Sequence, residues 1–291
     1  FHRRAGLASG ITVSAVGVGG FVFAPATESL IGAFGWRLTY LMIGILGFVT
    51  VLLLSFLVLR REPREMGLLP DGEIEGKCPT EARIKAEGYQ AVLRHGNFWA
   101  LSFSYFFVTG GTYTIITHIA AFAQDIGATA HTGSLALGII GLSSVSGRLI
   151  MGGYSDRIGR KKALLIALGI EFLASLLLFL LTSFGGLQKT VNHKSVQDAG
   201  VLFLFSVIFG FGYGSFVPLY PALLGDLFGG RDLAFLFGIS TLLSGLSTGA
   251  GAFVAGSLFD HFGNYFWAFV MASVFFVFAG MLACAIREER R

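Results

Sequence analysis

Eight apolar runs dominate this chain of 291 residues, and each is about as long as the 20 residues that a membrane-spanning helix needs. The runs show no alternation of apolar and polar residues and are about twice the length of a barrel strand, so they predict helices. They cover residues 5–34, 38–59, 98–123, 133–153, 163–186, 200–224, 233–259 and 265–286. An even number of crossings places both ends of the chain on one side of the membrane.

The composition indicates that lipid is part of the solvent of this protein. Apolar residues make up 54% of the chain and charged residues 13%, and the mean hydropathy is +0.73. A water-soluble core cannot bury so many apolar side chains. The 41 glycines and 30 phenylalanines are typical of helices that pack closely in hydrocarbon. The sequence therefore predicts an all-α membrane protein.

Basic residues predict how the helices are oriented. If the first residue is inside, seventeen of the 21 Lys and Arg residues fall in cytoplasmic segments, three fall outside, and Arg148 falls within an apolar run. This bias predicts cytoplasmic ends. We also expect a location in the plasma (cell inner) membrane. No basic stripe with interleaved aromatic residues is present, so a nucleic-acid partner is not expected. The partners that the sequence predicts are the lipid bilayer and a small solute.

A polar segment at 61–97 separates two apolar runs from the other six. It contains charges of both signs and three prolines, which is typical of a linker. We therefore expect a two-helix unit at 1–60, a cytoplasmic linker at 61–97 and a six-helix unit at 98–291. Because Phe1 is not an initiator Met and an apolar run follows almost at once, we also expect a fragment that lacks upstream helices.

Two helices carry glycines shortly before a proline, which predicts soft, kinkable stretches at membrane depth. The alternative is ordinary close packing through small residues. These residues are Gly17, Gly19, Gly20 and Pro25 in the first run, and Gly210, Gly212, Gly214, Pro218 and Pro221 in the sixth.

The segment GRLIMGGYSDRIGRKK, from Gly147 to Lys162, resembles the G-x-x-x-G-x-x-[SD]-D-R-x-G-R-[RK] loop of the major facilitator superfamily. The stretches RRAGLASGI, GWR, FGFGYGSFVPLYPALLGDLFG and GSLFDHFGNY are similar to monocarboxylate transporters and their oxalate:formate antiporter relatives. This resemblance implies the major-facilitator helical bundle, with eight of its twelve transmembrane helices present. Residues 1–60 would then end the N-terminal bundle, and residues 98–291 would form the C-terminal bundle.

The resemblance also implies a function. It points to a secondary active transporter, not an enzyme, that moves a small organic anion by alternating access with a proton as coupling ion, by symport or antiport. It implies no cofactor and no metal. Gly152 and Gly153 would let two helices cross closely, and the basic loop would hold the cytoplasmic surface. The residues of this gating loop are Gly152, Asp156, Arg157, Gly159 and Arg160.

Arg148 is the main candidate for binding substrate. It lies eight residues before Asp156, which puts its Cα about 12 Å inside the loop, within the hydrocarbon zone. An arginine there costs about 2.5–3.5 kcal/mol on insertion scales, so it tends to face a cavity or a partner. Its planar fork matches a carboxylate, which suggests an organic anion. The alternative is an arginine that snorkels to the surface and supports the loop.

In monocarboxylate transporters an arginine at this place is thought to bind the substrate carboxylate, one turn after an acidic residue. Here the acidic position is Ser144, which leaves the family's arginine–aspartate proton switch without its acid. The eleventh helix of oxalate exchangers carries a lysine, whereas residues 235–259 hold no Lys or Arg. This difference favours a monocarboxylate over a dicarboxylate.

Further candidates lie on the helices that line the cavity in this family. Tyr113, Thr117 and His118 lie in the run at 98–123, which corresponds to the seventh of the family's twelve helices. Tyr213 lies in the run at 200–224, which corresponds to the tenth, and matches an aromatic cavity position. Histidine changes charge near neutral pH, so His118 is a candidate for coupling or for a hydrogen bond to substrate. A structural histidine near the outer interface is the alternative, and for Tyr213 it is core packing.

Two carboxylates fall inside apolar runs. Glu28 lies in the outer part of the run at 5–34, which corresponds to the family's fifth helix. Glu171 lies in the inner part of the run at 163–186, which corresponds to the ninth. Intramembrane carboxylates are functional candidates, so Glu28 joins His118 as a coupling candidate. The ninth helix is peripheral in this family, which favours an inter-helix hydrogen bond for Glu171.

Two other functions stay open. A proton-coupled exporter of drugs or other amphiphiles has similar loops and usually a roomier, less cationic cavity. A membrane-embedded enzyme or receptor is the distant alternative. Against it, the sequence contains no nucleophile elbow, no phosphate-cradling loop and no His, Cys and Glu set at metal-ligand spacing.

Overall fold

The computed structural model describes residues 5–57, 89–185, 195–229 and 232–287, and every regular element in these ranges is an α-helix. Seven helical stretches in them are long and apolar enough to cross a membrane. The helices are α1 (Ala5–Leu57), α2 (Tyr89–Val92), α3 (Gly96–Asp125), α4 (Ala130–Ile158), α5 (Arg160–Gly185), α6 (Ser195–Phe216), α7 (Leu219–Phe228), α8 (Leu233–Phe262) and α9 (Phe266–Ala285). The predicted helical membrane protein is confirmed.

The first two predicted runs form the single stretch α1, which Gly35 interrupts. Its φ of 74° and ψ of 160° lie outside the helical region, so two helices meet there. An unbroken helix of this length would measure on the order of 80 Å, far beyond a hydrocarbon core of about 30 Å. The break leaves segments 5–34 and 36–57, each long enough to span. The first continues through Pro25 without a break.

The glycine- and proline-rich stretch of the sixth predicted run contains a break. Helix α6 ends at Phe216, and α7 begins at Leu219 after a turn that includes Pro218. Proline has no backbone N–H and clashes with the preceding turn, so it starts α7 and does not continue α6. Gly159, with φ of 91°, ends α4 directly before Arg160 starts α5.

Helix packing places α4 in the middle of the described helices. Helix α3 packs against α8 and α9, α5 packs against α6 and α9, and α4 packs against both α1 and α6. The buried core comes mainly from α3 to α9, and its largest apolar side chains include Phe98, Phe205, Phe209, Phe269 and Phe276. Any functional group on α4 therefore lies between α1 and the rest of the core.

Most of the predicted linker at 61–97 lies outside the described residues. Its last part forms α2 and the beginning of α3. The backbone N–H of Tyr89 in α2 donates to Asp232 Oδ2 at 3.1 Å, directly before α8. The division of the chain at 61–97 stays a prediction.

Candidate anion-binding site

Glycines bring α6 close to α4 at the middle of the bundle. A Cβ built at Gly214 would collide with the carbonyl oxygen of Ser144, and one at Gly147 would collide with that of Phe211. A Cβ at Gly210 would lie 2.5 Å from the carbonyl oxygen of Ile140. Only glycine lets two helix backbones approach so closely. This close approach fixes the rotation of α4 about its own axis, and therefore which of its side chains face α3 and α6.

On the other face of α4, glycines make the contact with α1. A Cβ at Gly141 would lie 2.7 Å from the carbonyl oxygen of Gly17 and 3.1 Å from the backbone nitrogen of Phe21. A Cβ at Gly17 would lie 2.8 Å from Ser144 Oγ. Ser144 is therefore enclosed by α1 on one side and by α6 on the other.

Arg148 is almost completely buried, with 1% of its surface exposed. Its Nη1 donates to Ser144 Oγ at 3.1 Å, one turn earlier on α4, and its Cζ lies 5.3 Å from the centre of the Tyr213 ring. Arg148 Nε has no hydrogen-bond partner among the described residues. The side chain is thus directed into the protein and does not snorkel to the surface, and part of its donor capacity is unused.

The Tyr213 ring, which lies against the guanidinium, meets a second tyrosine. The rings of Tyr113 on α3 and Tyr213 on α6 meet edge to face, with centroids 6.5 Å apart. Both side chains are half-buried. A ring face attracts a cation, and each phenol can donate a hydrogen bond to an anion. Arg148, Ser144, Tyr113 and Tyr213 therefore form one group, the anion site, drawn from three helices.

Thr117 lies one turn after Tyr113 on α3, whereas His118 makes its contacts away from the anion site. Thr117 is exposed. His118 Nε2 lies 3.0 Å from the carbonyl oxygen of Ala252 on α8, and its ring packs against Tyr265 with centroids 5.3 Å apart. These contacts tie α3 to α8 near the predicted outer surface and leave His118 outside the anion site.

Glu28 is also outside the anion site. Its Oε2 lies 3.5 Å from His131 Nδ1, in the first turn of α4; the histidine side chain is exposed and that of Glu28 is partly exposed. The pair connects α1 with α4 toward the end of α4 opposite the basic loop. It is charged on both sides only when the histidine is protonated.

The predicted gating loop is held by contacts at the other end of α4. Arg160 Nη1 donates to Asp226 Oδ1 at 2.9 Å and to the carbonyl oxygen of Ala222 at 2.7 Å. Asp156 Oδ1 is farther away, 4.0 Å from Arg160 Nη2. Arg157 is exposed, and the carbonyl oxygen of Gly152 accepts a bond from Ser155 Oγ at 2.8 Å.

Sequence reasoning missed several of these contacts. It assigned the close crossing to Gly152 and Gly153, but nothing lies within 4 Å of a Cβ built at Gly153, and the α4–α6 crossing is centred on Gly147 and Gly214. It also missed Asp226 as the partner of Arg160. The GDLFG stretch that contains Asp226 was recognised for its resemblance, yet no spacing in the sequence relates it to the loop.

The sequence matches the family model of the Major Facilitator Superfamily twice, over residues 1–190 and over residues 101–291. Each match covers more than half of the chain. The chain belongs to the Major Facilitator Superfamily. Together with its apolar helices, this membership makes it an integral multi-pass membrane protein of the major-facilitator type.

Named relatives of this major-facilitator chain are transporters and not enzymes. Monocarboxylate transporter 12 of Xenopus laevis is 26% identical over 300 residues, covering 97% of this chain and 61% of the relative. Monocarboxylate transporter 13 of Bos taurus is 26% identical over 275 residues, covering 94% and 58%. The aspyridones efflux protein of Emericella nidulans is 24% identical over 288 residues, covering 97% and 52%. The chain thus spans about three fifths of the length of the monocarboxylate transporters, and the recognised resemblance is confirmed.

Proposed function

We propose that this chain forms the anion-binding part of a secondary active transporter for a small monocarboxylate. The observation that carries the proposal is the state of Arg148, a buried cation with no carboxylate partner within the described ranges. A buried charge without an opposite charge is unfavourable. A substrate carboxylate at this place would supply the missing partner.

The geometry of the anion site suits such a ligand. Nη1 of Arg148 is engaged by Ser144, whereas Nε is unused. A carboxylate can accept two parallel N–H bonds from one guanidinium, and a phenol of Tyr113 or Tyr213 can donate a third. The names of the relatives that cover most of the chain support a monocarboxylate as the substrate class.

Transport in this proposal follows alternating access, with the predicted two halves rocking about the site and a proton as coupling ion. The protein would lie in the plasma membrane with both chain ends in the cytoplasm. The glycine contact between α1 and α4 supports this mechanism, because small residues let the backbones of the two predicted halves approach closely at the site.

A second candidate is the export of an amphiphilic compound. The similarity to the aspyridones efflux protein supports it. So do the half-buried aromatic side chains of Tyr105 and Phe237, whose rings stack 6.2 Å apart toward the predicted cytoplasmic end of α3. Competition for uptake between lactate and an amphipathic dye separates the two candidates, since an exporter of amphiphiles would prefer the dye.

Replacement of Arg148 tests the proposed function. In the complete natural protein we expect Arg148→Ala to weaken lactate or pyruvate binding at least about tenfold, because charge-assisted bonds contribute about 1.5–3 kcal/mol. Arg148→Lys should lose less, since it keeps the charge but not the two-point fork. Isothermal titration calorimetry on purified protein measures both.

Arg94→Ala is the matched control, because Arg94 is an exposed arginine in the turn before α3. It should bind the probes like the wild type. Arg148→Ala should still insert and fold, because removal of an intramembrane cation removes its insertion cost, and Arg148→Lys should do so because it keeps the charge that the wild type already accommodates. Wild-type affinity in folded Arg148→Ala would contradict the proposal.

A further inference from the structure

Glu171 is a fully buried carboxyl group on α5 that the anion site does not contain. None of its surface is exposed. Its Oε2 lies 3.5 Å from Thr112 Oγ1 on α3, at the limit of a hydrogen bond, and its Oε1 has no hydrogen-bond partner among the described residues. A Cβ built at Gly212 of α6 would lie only 3.0 Å from Oε1. The carboxyl thus fills the space where α3, α5 and α6 meet.

The hydrogen-bond partner of this carboxyl and the glycine beside Oε1 are the direct chain neighbours of the site tyrosines. Thr112 precedes Tyr113 on α3, and Gly212 precedes Tyr213 on α6. The rings of those tyrosines meet at 6.5 Å, and Tyr213 lies against the Arg148 guanidinium. A change in the size or hydration of the Glu171 carboxyl would therefore move the two backbone segments that carry the tyrosines.

The surroundings of Glu171 fit the neutral acid and not the ionised form. A carboxylate needs donors or a cation for its two oxygens, and burial without them is strongly unfavourable. Among the described residues Glu171 forms no ion pair, and the groups at its carboxyl are the Thr112 hydroxyl and the Gly212 backbone. Helix α9 contacts α5 one turn after Glu171, where the hydroxyl groups of Ser273 and Ser175 share a hydrogen bond. The titratable side chains next to these contacts are those of Tyr113, which follows Thr112 on α3, and Tyr213, which follows Gly212 on α6. In the structure Thr112 Oγ1 donates to Oε2. A hydroxyl can also accept, so this hydrogen bond reverses its direction when Oε2 carries the proton.

We propose that Glu171 is a proton-binding residue that positions Tyr113 and Tyr213, so that the protein with a proton on Glu171 binds the organic anion at Arg148. This deepens the proposed function and depends on it for the identity of the second ligand. In the neutral state α3, α5 and α6 close around the carboxyl and the tyrosines frame the guanidinium. In the ionised state the carboxylate draws water in, and the two tyrosines separate.

Because coupling between two binding sites is reciprocal, the proton raises the affinity for the anion and the anion raises the affinity for the proton. A hydronium ion gives up the proton and becomes water, and the proton forms an O–H bond with a Glu171 carboxyl oxygen; no other bond forms or breaks. Anion affinity is therefore full at acidic pH and falls as rising pH removes the proton. Such coupling is the requirement for moving the two together.

Two measurements on the complete natural protein test the proposal, and the first needs no organic anion. Infrared spectroscopy should show a protonated carboxyl C=O band at neutral pH that shifts in D₂O and is lost in Glu171→Gln. In the second, calorimetry measures lactate binding from acidic to alkaline pH. We expect wild-type affinity to fall about tenfold or more as pH rises, whereas Glu171→Gln, which mimics the neutral acid, keeps high affinity throughout.

The outcomes separate this proposal from the proposed function. If no monocarboxylate binds but the infrared band is present and depends on Glu171, the proton site stands and the anion function fails. If lactate binds through Arg148 but Glu171→Gln keeps the band and the wild-type pH profile, the proton site is wrong. A flat profile in Glu28→Gln instead would place the coupling at Glu28 and would also overturn the proposal.

Gly212→Ala provides the answer if Glu171→Gln does not fold. The added methyl group would lie 3.0 Å from Oε1, so it should shift the Glu171 band and the pH midpoint of lactate binding. Gly169→Ala on α5 is the matched control, because nothing lies within 4 Å of a Cβ at that position. A band and midpoint identical in the two alanine variants would show that the carboxyl next to Gly212 does not carry the proton.

Discussion

Helix α1 and the group of helices α3 to α9 are both strongly apolar, yet they bury their side chains very differently. In α1, Phe48 and Phe56 are 69% and 76% exposed, and the most apolar window of the helix has no buried residue. In the group α3 to α9, Phe98, Phe205 and Phe209 are fully buried. Hydropathy alone does not distinguish the two regions, because lipid and protein interior are equally apolar surroundings.

Within the described part of the chain, the difference shows what holds each region in place. The group α3 to α9 shares a core, so each of its helices has several neighbours, whereas α1 packs mainly against α4. Glycines make the closest contacts on both faces of α4: Gly17 and Gly141 toward α1, Gly147 and Gly214 toward α6. The close glycine contact is therefore part of the core on the α6 face of α4. On the other face it forms the α1–α4 joint, the contact that attaches α1 to the core. Arg148 lies between the two.

The largest expected effect is that of Gly214→Ala on α6, at the contact with the core face of α4. The new Cβ would collide with the carbonyl oxygen of Ser144, so two backbones must separate. Overpacking of this kind costs about 3 kcal/mol, and thermal unfolding in detergent should shift down by several degrees. Gly245→Ala on α8 is the control, because its Cβ would meet nothing within 4 Å. Equal unfolding temperatures for the two variants would mean that this crossing is not part of the core.

A smaller effect on stability is expected for Gly17→Ala on α1, at the contact with the opposite face of α4. Its Cβ would lie 2.8 Å from both Ser144 Oγ and Val145 Cγ2, so α1 should shift away from α4. Because the core does not depend on α1, unfolding should become easier by only about 1 kcal/mol, the lower end for overpacking. Lactate affinity should fall, since Ser144 holds Arg148.

Gly19→Ala on the same helix is the matched control, because a Cβ there would meet nothing within 4 Å. Thermal unfolding and calorimetry of the two variants measure the difference. If Gly17→Ala lowered the unfolding temperature as much as Gly214→Ala does, the distinction between a joint and a core would be wrong.

The sequence predicted the helices well, because span length and hydropathy are set by the bilayer and need no knowledge of packing. It also placed Ser144 one helical turn before Arg148, since the spacing of four residues brings two side chains onto one face. Tyr213 and Tyr113 were named through family resemblance, and the structure places Tyr213 against Arg148 and Tyr113 against Tyr213. The prediction that these residues bind substrate awaits experiment.

The remaining contacts depend on how helices rotate about their axes, which a pattern in one helix does not specify. His118 and His131 both lie in helices with polar neighbours, but only His131 lies beside a carboxylate in the described structure. Glu171 needs α3, α5 and α6 together, and its neighbours are 59 and 41 residues away in the sequence. No local spacing relates such residues.

The smallest expected effect concerns the ion pair between Glu28 and His131, which crosses the α1–α4 joint. Because both groups are partly exposed, water and salt screen their attraction, and such pairs contribute about 0.2–1 kcal/mol. A double-mutant cycle of Glu28→Gln and His131→Gln, in buffer acidic enough to protonate histidine, should give a coupling free energy in this range. Thermal unfolding at low salt measures it, and high salt should remove it. A salt-independent coupling above about 2 kcal/mol would mean that the pair is shielded from water, and the α1–α4 joint would then be as firmly held as the core.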